Sequence, residues 1–303
     1  MKLSIIVTAK DSKSKQLKRF LESVEKQDYL GEKEVIVVTE GNSESAKAIG
    51  LRRAKGEIVA IFASDNELVD PQFISKCMEP LEVEKYITGS YPIRYYHTKK
   101  DNLLNRYFAL VGVNDPVPLY LWKNDRKSYG RNHLYGYDCS NIDKRKYMVA
   151  KFFVQDMPTL GDNGFFIRRD ALLKADIDHY YHIDVCYDLI KLGCGSDYAV
   201  VDTSIWHHTG GNIVRFFLKR FKYADKFMDN RRWKMIERSD WLGMVWFIVS
   251  TITIAPCVIL SFQGYKKVKD IAWFLHYPVC LGSLITYFLL FMKRRVNASF
   301  RVL

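Results

Sequence analysis

The chain has 303 residues, 48% hydrophobic and 14% aromatic, which is too apolar for disorder and long enough for a large α/β domain with an appendage. A mean hydropathy of -0.16 excludes a polytopic transporter. Half of the +12 net charge falls in residues 241–303, beside two charge-free runs, which favours anionic lipid over nucleic acid as a partner; no helix-turn-helix, zinc-finger or RNA-binding signature is present.

The first eighty residues alternate strand and helix. LSIIVTA predicts a buried strand, and Leu17, Phe20, Leu21 and Val24 mark one face of the helix that follows. EVIVV (34–38) predicts a second strand, the polar turn TEGNSE leads to a helix over 46–53, and EIVAIF (57–62) predicts a third strand. Asp70 is expected to cap the next helix, with Pro71 at its first position and Phe73, Ile74, Cys77, Met78 and Leu81 as its apolar stripe. This order implies a doubly wound, mostly parallel sheet, whose ligand crevice lies beyond the carboxyl ends of the strands at 8–11, 39–42 and 63–66.

Residues 83–160 carry little regular pattern and are expected to form a sheet extension and a substrate-side loop. Pattern resumes at GFFIRRDALLKA and at DVCYDLIKLG, a short helix opened by Asp184 and closed by Gly193. From Ile213 the chain interleaves Phe216, Phe217 and Phe221 with Arg215, Lys219, Arg220 and Lys222, an amphipathic helix suited to a membrane surface or to packing on the domain. The two runs without Lys, Arg, Asp or Glu, 241–262 and 271–292, are each 22 residues long, about the length needed to cross a bilayer. Basic flanks place both termini in the cytosol if the runs form a hairpin; a re-entrant pair, with kinks offered by Pro256 and by His276 with Pro278, is the rival. Six cysteines, none in a CxxC pair, read as reduced structural thiols, and the apolar run of MKLSIIVTAKD is shorter than a signal peptide is expected to have.

The segments LSIIVTAKD, FLESVEKQDY, EVIVVTEGNSESA and RRAKGEIVAIFASDNELVDP, in this order, resemble the N-terminal half of a family 2 glycosyltransferase of the GT-A fold, a Rossmann-like nucleotide-sugar-binding domain. The resemblance implies an inverting transferase that moves a sugar from a UDP- or GDP-sugar with the aid of a divalent metal, Mg2+ or Mn2+. The family's DxD falls on Ala63-Ser64-Asp65, so one carboxylate is missing and Asp65 is the implied metal ligand. His207 and His208 of IWHHTGG compete to complete the metal site. Thr8, Glu40, Lys47, Arg53, Ser64 and Asp65 are the implied donor-binding residues, with Thr39 standing where the family has an Asp. Asp184 is the implied base, with Asp188 one turn on as the fallback. On the acceptor side the same likeness brings in Asp162 and Arg168; Arg215, Lys219 and Arg220 would hold a lipid phosphate. DNRRW (229–233) resembles the QxxRW of processive synthases, but two spans cannot enclose a polymer channel.

The expected organisation is a cytosolic catalytic domain over residues 1–212, an interfacial helix region over 213–240, a two-helix membrane segment over 241–292 and a basic tail over 293–303. The expected partners are membrane lipid and a polyprenyl- or dolichyl-linked acceptor; the alternatives are a non-catalytic nucleotide-sugar-binding scaffold and a transferase with a non-lipid acceptor.

Overall fold

The computed structural model describes every residue except 176, 178–180, 229–233, 235, 237 and 301–303, so the DNRRW segment lies outside the described residues. In chain order the elements are β1 (Leu3–Thr8), α1 (Lys15–Glu25), β2 (Lys33–Val38), α2 (Ser43–Arg53), β3 (Ile58–Ala63), β4 (Asn66–Glu67), α3 (Phe73–Val83), β5 (Gly89–Tyr96), α4 (Leu103–Val111) and α5 (Pro116–Tyr120). There follow β6 (His133–Leu134), β7 (Tyr137–Asp138), α6 (Ile142–Arg145), β8 (Tyr147–Lys151), β9 (Phe165–Arg168), α7 (Arg169–Leu172), α8 (His182–Lys191) and β10 (Asp197–His207). The chain ends in α9 (Ile213–Met228), α10 (Trp241–Thr253), α11 (Ala255–Lys267) and α12 (His276–Phe300).

The expected strands and helices of the first eighty residues are present, but α2 begins at Ser43, three residues earlier than expected, and α3 starts later. Helix α3 begins two residues after Pro71, because Asp70 closes a turn first: its carboxylate accepts from the Gln72 N–H (2.9 Å) and its carbonyl from the Phe73 N–H (3.0 Å). The sheet order is β2-β1-β3-β9-β5-β10-β4, with β8 on the flank of β10. It is more mixed than the doubly wound expectation: β1 pairs in parallel with β2 and β3, and β5 with β10, but β9 runs antiparallel between β3 and β5. Two apolar layers cover its faces, one built around Phe20, Phe62, Phe73 and Phe166, the other around Ile61, Tyr91, Phe165 and Leu189.

Residues 103–129, unassigned from sequence, form the platform for the C-terminal helices. Leu104, Tyr107, Phe108, Leu110 and Tyr120 bury against Phe247, Cys257, Trp273, Val279 and Cys280 in a third core. Helix α9 adds to it from the side: the Phe216 ring lies 4.9 Å from that of Phe108, and Phe217 fills the space that a Cβ at Gly282 would occupy. The packing face of this amphipathic helix therefore covers protein, while Val214 and Leu218 stay exposed.

The first charge-free run is not one helix. It breaks at Ile254, whose backbone has φ +64°, just before Pro256, and α10 and α11 meet at a bend of 91°. Both ends of this bent pair are tied to the body, at Lys123–Asp240 (2.7 Å) and at Arg106–Asp270, where two guanidinium nitrogens meet the two carboxylate oxygens. Ile271–Arg295 is long and apolar enough to cross a membrane by length and composition. It too is fixed to the body: Tyr107 bonds His276 at its start, and Lys293 pairs with Asp225 of α9 (2.6 Å) near its end.

Candidate active site

The crevice opens where β1, β3 and β10 end. Thr8 and Ala63 are register partners, and the Ser64 N–H donates to the Thr8 carbonyl at 3.0 Å, so the two strand ends leave together. Short β4 then turns back onto β10 with Asn66 opposite His207, which brings Asp65 beside His207. Asp65 Oδ1 lies 3.6 Å from His207 Nε2, beyond hydrogen-bond length, and neither that oxygen nor His207 Nδ1 has a hydrogen-bond partner among the described residues although both are buried. Burial pushes the Asp65 carboxyl up, but the charges of His207 and Lys219 outweigh it and hold the group below its ordinary value.

Strand alternation separates the two histidines. His208 points the other way, with Nε2 3.3 Å from Glu67 Oε2 and its ring against Trp206. Glu67 is itself paired to Arg19 (3.2 Å), so His208 belongs to a surface ion cluster and His207 to the crevice.

Beside Asp65 lies a buried charge cluster. Lys47 Nζ is 3.4 Å from Glu44 and 3.1 Å from Asp162; His182 Nδ1 is 3.0 Å from Glu44, and its Nε2 is 3.6 Å from Asp162. The Tyr223 hydroxyl of α9 donates to Glu44 (3.3 Å). Desolvation would raise Glu44 and Asp162, but Lys47 and His182 hold both below the usual carboxylate range. Lys47, only 1% exposed, is bound by carboxylates rather than open to a diphosphate, a correction to its expected donor role.

Three further expectations change for stated reasons. Asp184 falls in the first turn of α8, 1% exposed, with Oδ1 accepting from the Lys234 N–H at 2.9 Å; it presents no open carboxylate to an acceptor. The fallback, Asp188, pairs with Lys234 Nζ (2.7 Å). Arg168 ends a strand antiparallel to β3, opposite Ile58, and so lies at the far edge of the sheet, donating to the carbonyls of Leu81, Glu84 and Ile87. Arg220 reaches Asp115 (3.5 Å) and the Asn114 carbonyl, which makes it a brace between α9 and the platform. Arg215 and Lys219 are exposed, Lys219 close enough to act on Asp65. Glu40 and Arg53 form an exposed pair at 3.1 Å. Asp162 keeps partial access, with 18% of its side chain exposed.

The site also has parts that sequence reading passed over. His182 begins α8, two residues before Asp184, and supplies the imidazole at the crevice. Arg126, fully buried between the rings of Tyr91 and Tyr95, donates to the Asn163 carbonyl (2.8 Å), and Asn163 in turn accepts from Asn66 (3.0 Å), bracing the residue next to Asp65. Only the position of His182 near the start of a helix offered a signal.

No protein-family model matches the chain, and no curated protein matches it. Solved structures do. The chain is similar to glucosyl-3-phosphoglycerate synthase from Mycobacterium tuberculosis in complex with Mn2+ and uridine-diphosphate-glucose, at 15% identity and a TM-score of 0.43 over 73% of this chain and 76% of that one. It is similar to the same synthase with phosphoglyceric acid, at 14% and 0.44 over 73% and 77%. A structure described as a mycobacterial protein matches at 14% and 0.46 over 75% and 74%.

Proposed function

We propose that the chain is an inverting glycosyltransferase of the GT-A type, moving a sugar from a nucleoside diphosphate, UDP or GDP, to a lipid-linked acceptor. The carrying observation is the Asp65–His207 pair at the strand ends: a carboxylate oxygen and an imidazole nitrogen 3.6 Å apart, with a buried, unpartnered oxygen between elements of the crevice. Two ligands held about 2.1 Å from one cation lie roughly 3 to 3.6 Å apart, so the pair fits Mg2+ or Mn2+. Bound there, the metal would neutralise charge developing on the leaving diphosphate.

The chain's own groups carry the rest. Lys219, exposed beside Asp65, supplies a second positive charge to the diphosphate, and Glu40, Thr8 and Ser64 line the donor side at the same edge. His182 replaces Asp184 as the base. Its Nδ1–H donates to Glu44, which leaves Nε2 to take a proton from the acceptor hydroxyl. The hydroxyl oxygen attacks the anomeric carbon, the bond from that carbon to the diphosphate oxygen breaks, and the nucleoside diphosphate departs. A phosphate monoester, already ionised, needs no base, so the His182–Glu44 pair favours a hydroxyl acceptor such as a sugar on a polyprenyl carrier.

The apolar C-terminal region supports a membrane-bound site. Trp246, Ile252, Ile259, Ile285 and Phe288 are among the exposed apolar side chains of α10 to α12. Their helices are tied at both ends to the body, and α12 from Gly282 to Lys293 runs beside the charged helix α9. Hydrocarbon does not accommodate the exposed Lys219 and Lys222, so this reading has the region lying in one leaflet rather than crossing, with the catalytic body on the cytosolic face and Arg215 beside the lipid phosphates. In the decisive assay, His182→Ala abolishes transfer to a lipid-linked sugar and added imidazole restores part of it, while Asp184→Asn keeps kcat within a fewfold. Full activity of His182→Ala removes the base assignment.

A further inference from the structure

We propose that Cys257, His276 and Cys280 bind a structural zinc ion that pins the bent apolar helices to the catalytic body. The three come from two helices: Cys257 from the first turn of α11, just past the 91° bend, and His276 and Cys280 from one face of α12, four residues apart. Their ligand atoms all lie within 4.8 Å of one another, and all three residues are buried. The Tyr120 hydroxyl of α5 completes a four-cornered set, 3.3 Å from Cys257 Sγ, 3.1 Å from His276 Nε2 and 3.9 Å from Cys280 Sγ, with Cys280 Sγ 3.7 Å from Nε2.

Those separations, 3.1 to 3.9 Å, lie close to what a tetrahedral ion requires. With Zn–S near 2.3 Å and Zn–N near 2.0 Å, neighbouring ligand atoms lie about 3.3 to 3.8 Å apart. The surroundings fit as well. His276 Nδ1 is 2.9 Å from the Tyr107 hydroxyl, the outer contact that fixes a ligating imidazole with Nε2 toward the metal. Binding releases two thiol protons, including the one Cys257 gives to the Ser250 carbonyl (3.3 Å), and two thiolates neutralise a divalent cation, so the loaded site adds no net charge to an apolar interior. The thiolates select zinc over the Mg2+ or Mn2+ of an oxygen-rich site.

The test uses the full chain purified in detergent, metal-stripped and supplied with Zn2+ or Co2+. The expected result is one zinc per chain by elemental analysis and, with Co2+, a thiolate-to-metal charge-transfer band. Cys280→Ala and His276→Ala lose both signals, whereas Asp65→Asn and His207→Ala keep them, which separates this site from the crevice. Cys280→His guards against a folding defect: it retains zinc and weakens the thiolate band. Substoichiometric zinc in the folded wild type, cobalt without a thiolate band, a Cys257–Cys280 disulfide, or zinc retained by Cys280→Ala overturns the proposal.

Discussion

Lys47 is the residue whose removal costs most at the crevice. Its ammonium is the cation between the buried carboxylate of Glu44 and the partly exposed one of Asp162, and Lys47→Ala leaves both without it. A loss of about 3 to 5 kcal/mol is expected in denaturant unfolding, and Lys47→Met combined with Glu44→Gln recovers part of it, because the second change removes a stranded charge. The same cluster sets an acid limit. Glu44 and Asp162 are held below their unfolded values, so they contribute stability above roughly pH 4 that is lost as pH falls through their folded values. Glu44→Gln flattens that acid limb; an unchanged midpoint-versus-pH curve would show that the cluster contributes nothing. Sequence reading had offered Lys47 to a pyrophosphate, because a lysine on the helix after a strand end looks free until its partners, Asp162 among them, are known. His207 and His208 are equal candidates for the metal site in the sequence; only the pairing of β10 with β4 distinguishes their faces.

At the level of elements, periodicity located β1, β2, β3 and helices α1 to α3 because each carries an apolar run or stripe bounded by turns, which the two-residue β4 lacks. It missed the antiparallel insertion of β9, since the apolar stretch GFFI carries no sign of strand direction, and Arg168 went to the wrong edge as a result. The apolar runs show the same limit. Composition gives 241–262 the length of a span, while the structure bends it by 91° just before Pro256 and ion pairs of Asp240 and Asp270 fix both ends of the bent pair to the body. A bent pair with both ends on the body makes a definite prediction for single cysteines labelled in sealed vesicles. Residues replaced at Lys267 and at Lys293 both react with a membrane-impermeant maleimide from the side of the catalytic body. Reaction of either only from the opposite side would mean that the chain crosses. Substituting Trp246 and Phe288 by Glu is expected to abolish flotation with anionic vesicles while donor hydrolysis continues.

Across the whole molecule, three cores divide the labour. The sheet and its two apolar layers bring the ends of β1, β3 and β10 to one edge, the Arg126 scaffold braces that edge from below, and the platform of α4 and α5 joins it to the apolar helices. Half of the net positive charge lies in the last fifth of the sequence, beside the exposed apolar side chains, an arrangement that on the proposed function would gather an anionic lipid carrier near the crevice. The central claim is sugar transfer from a nucleotide donor, and release of nucleoside diphosphate from a panel of UDP- and GDP-sugars tests it most directly, with Mn2+ or Mg2+ present and vesicles carrying a polyprenyl-linked sugar. Metal-dependent release that vesicles accelerate, and that Asp65→Asn reduces at least a hundredfold, is the expected result; binding of nucleotide sugar without release under any metal would contradict it and identify a scaffold.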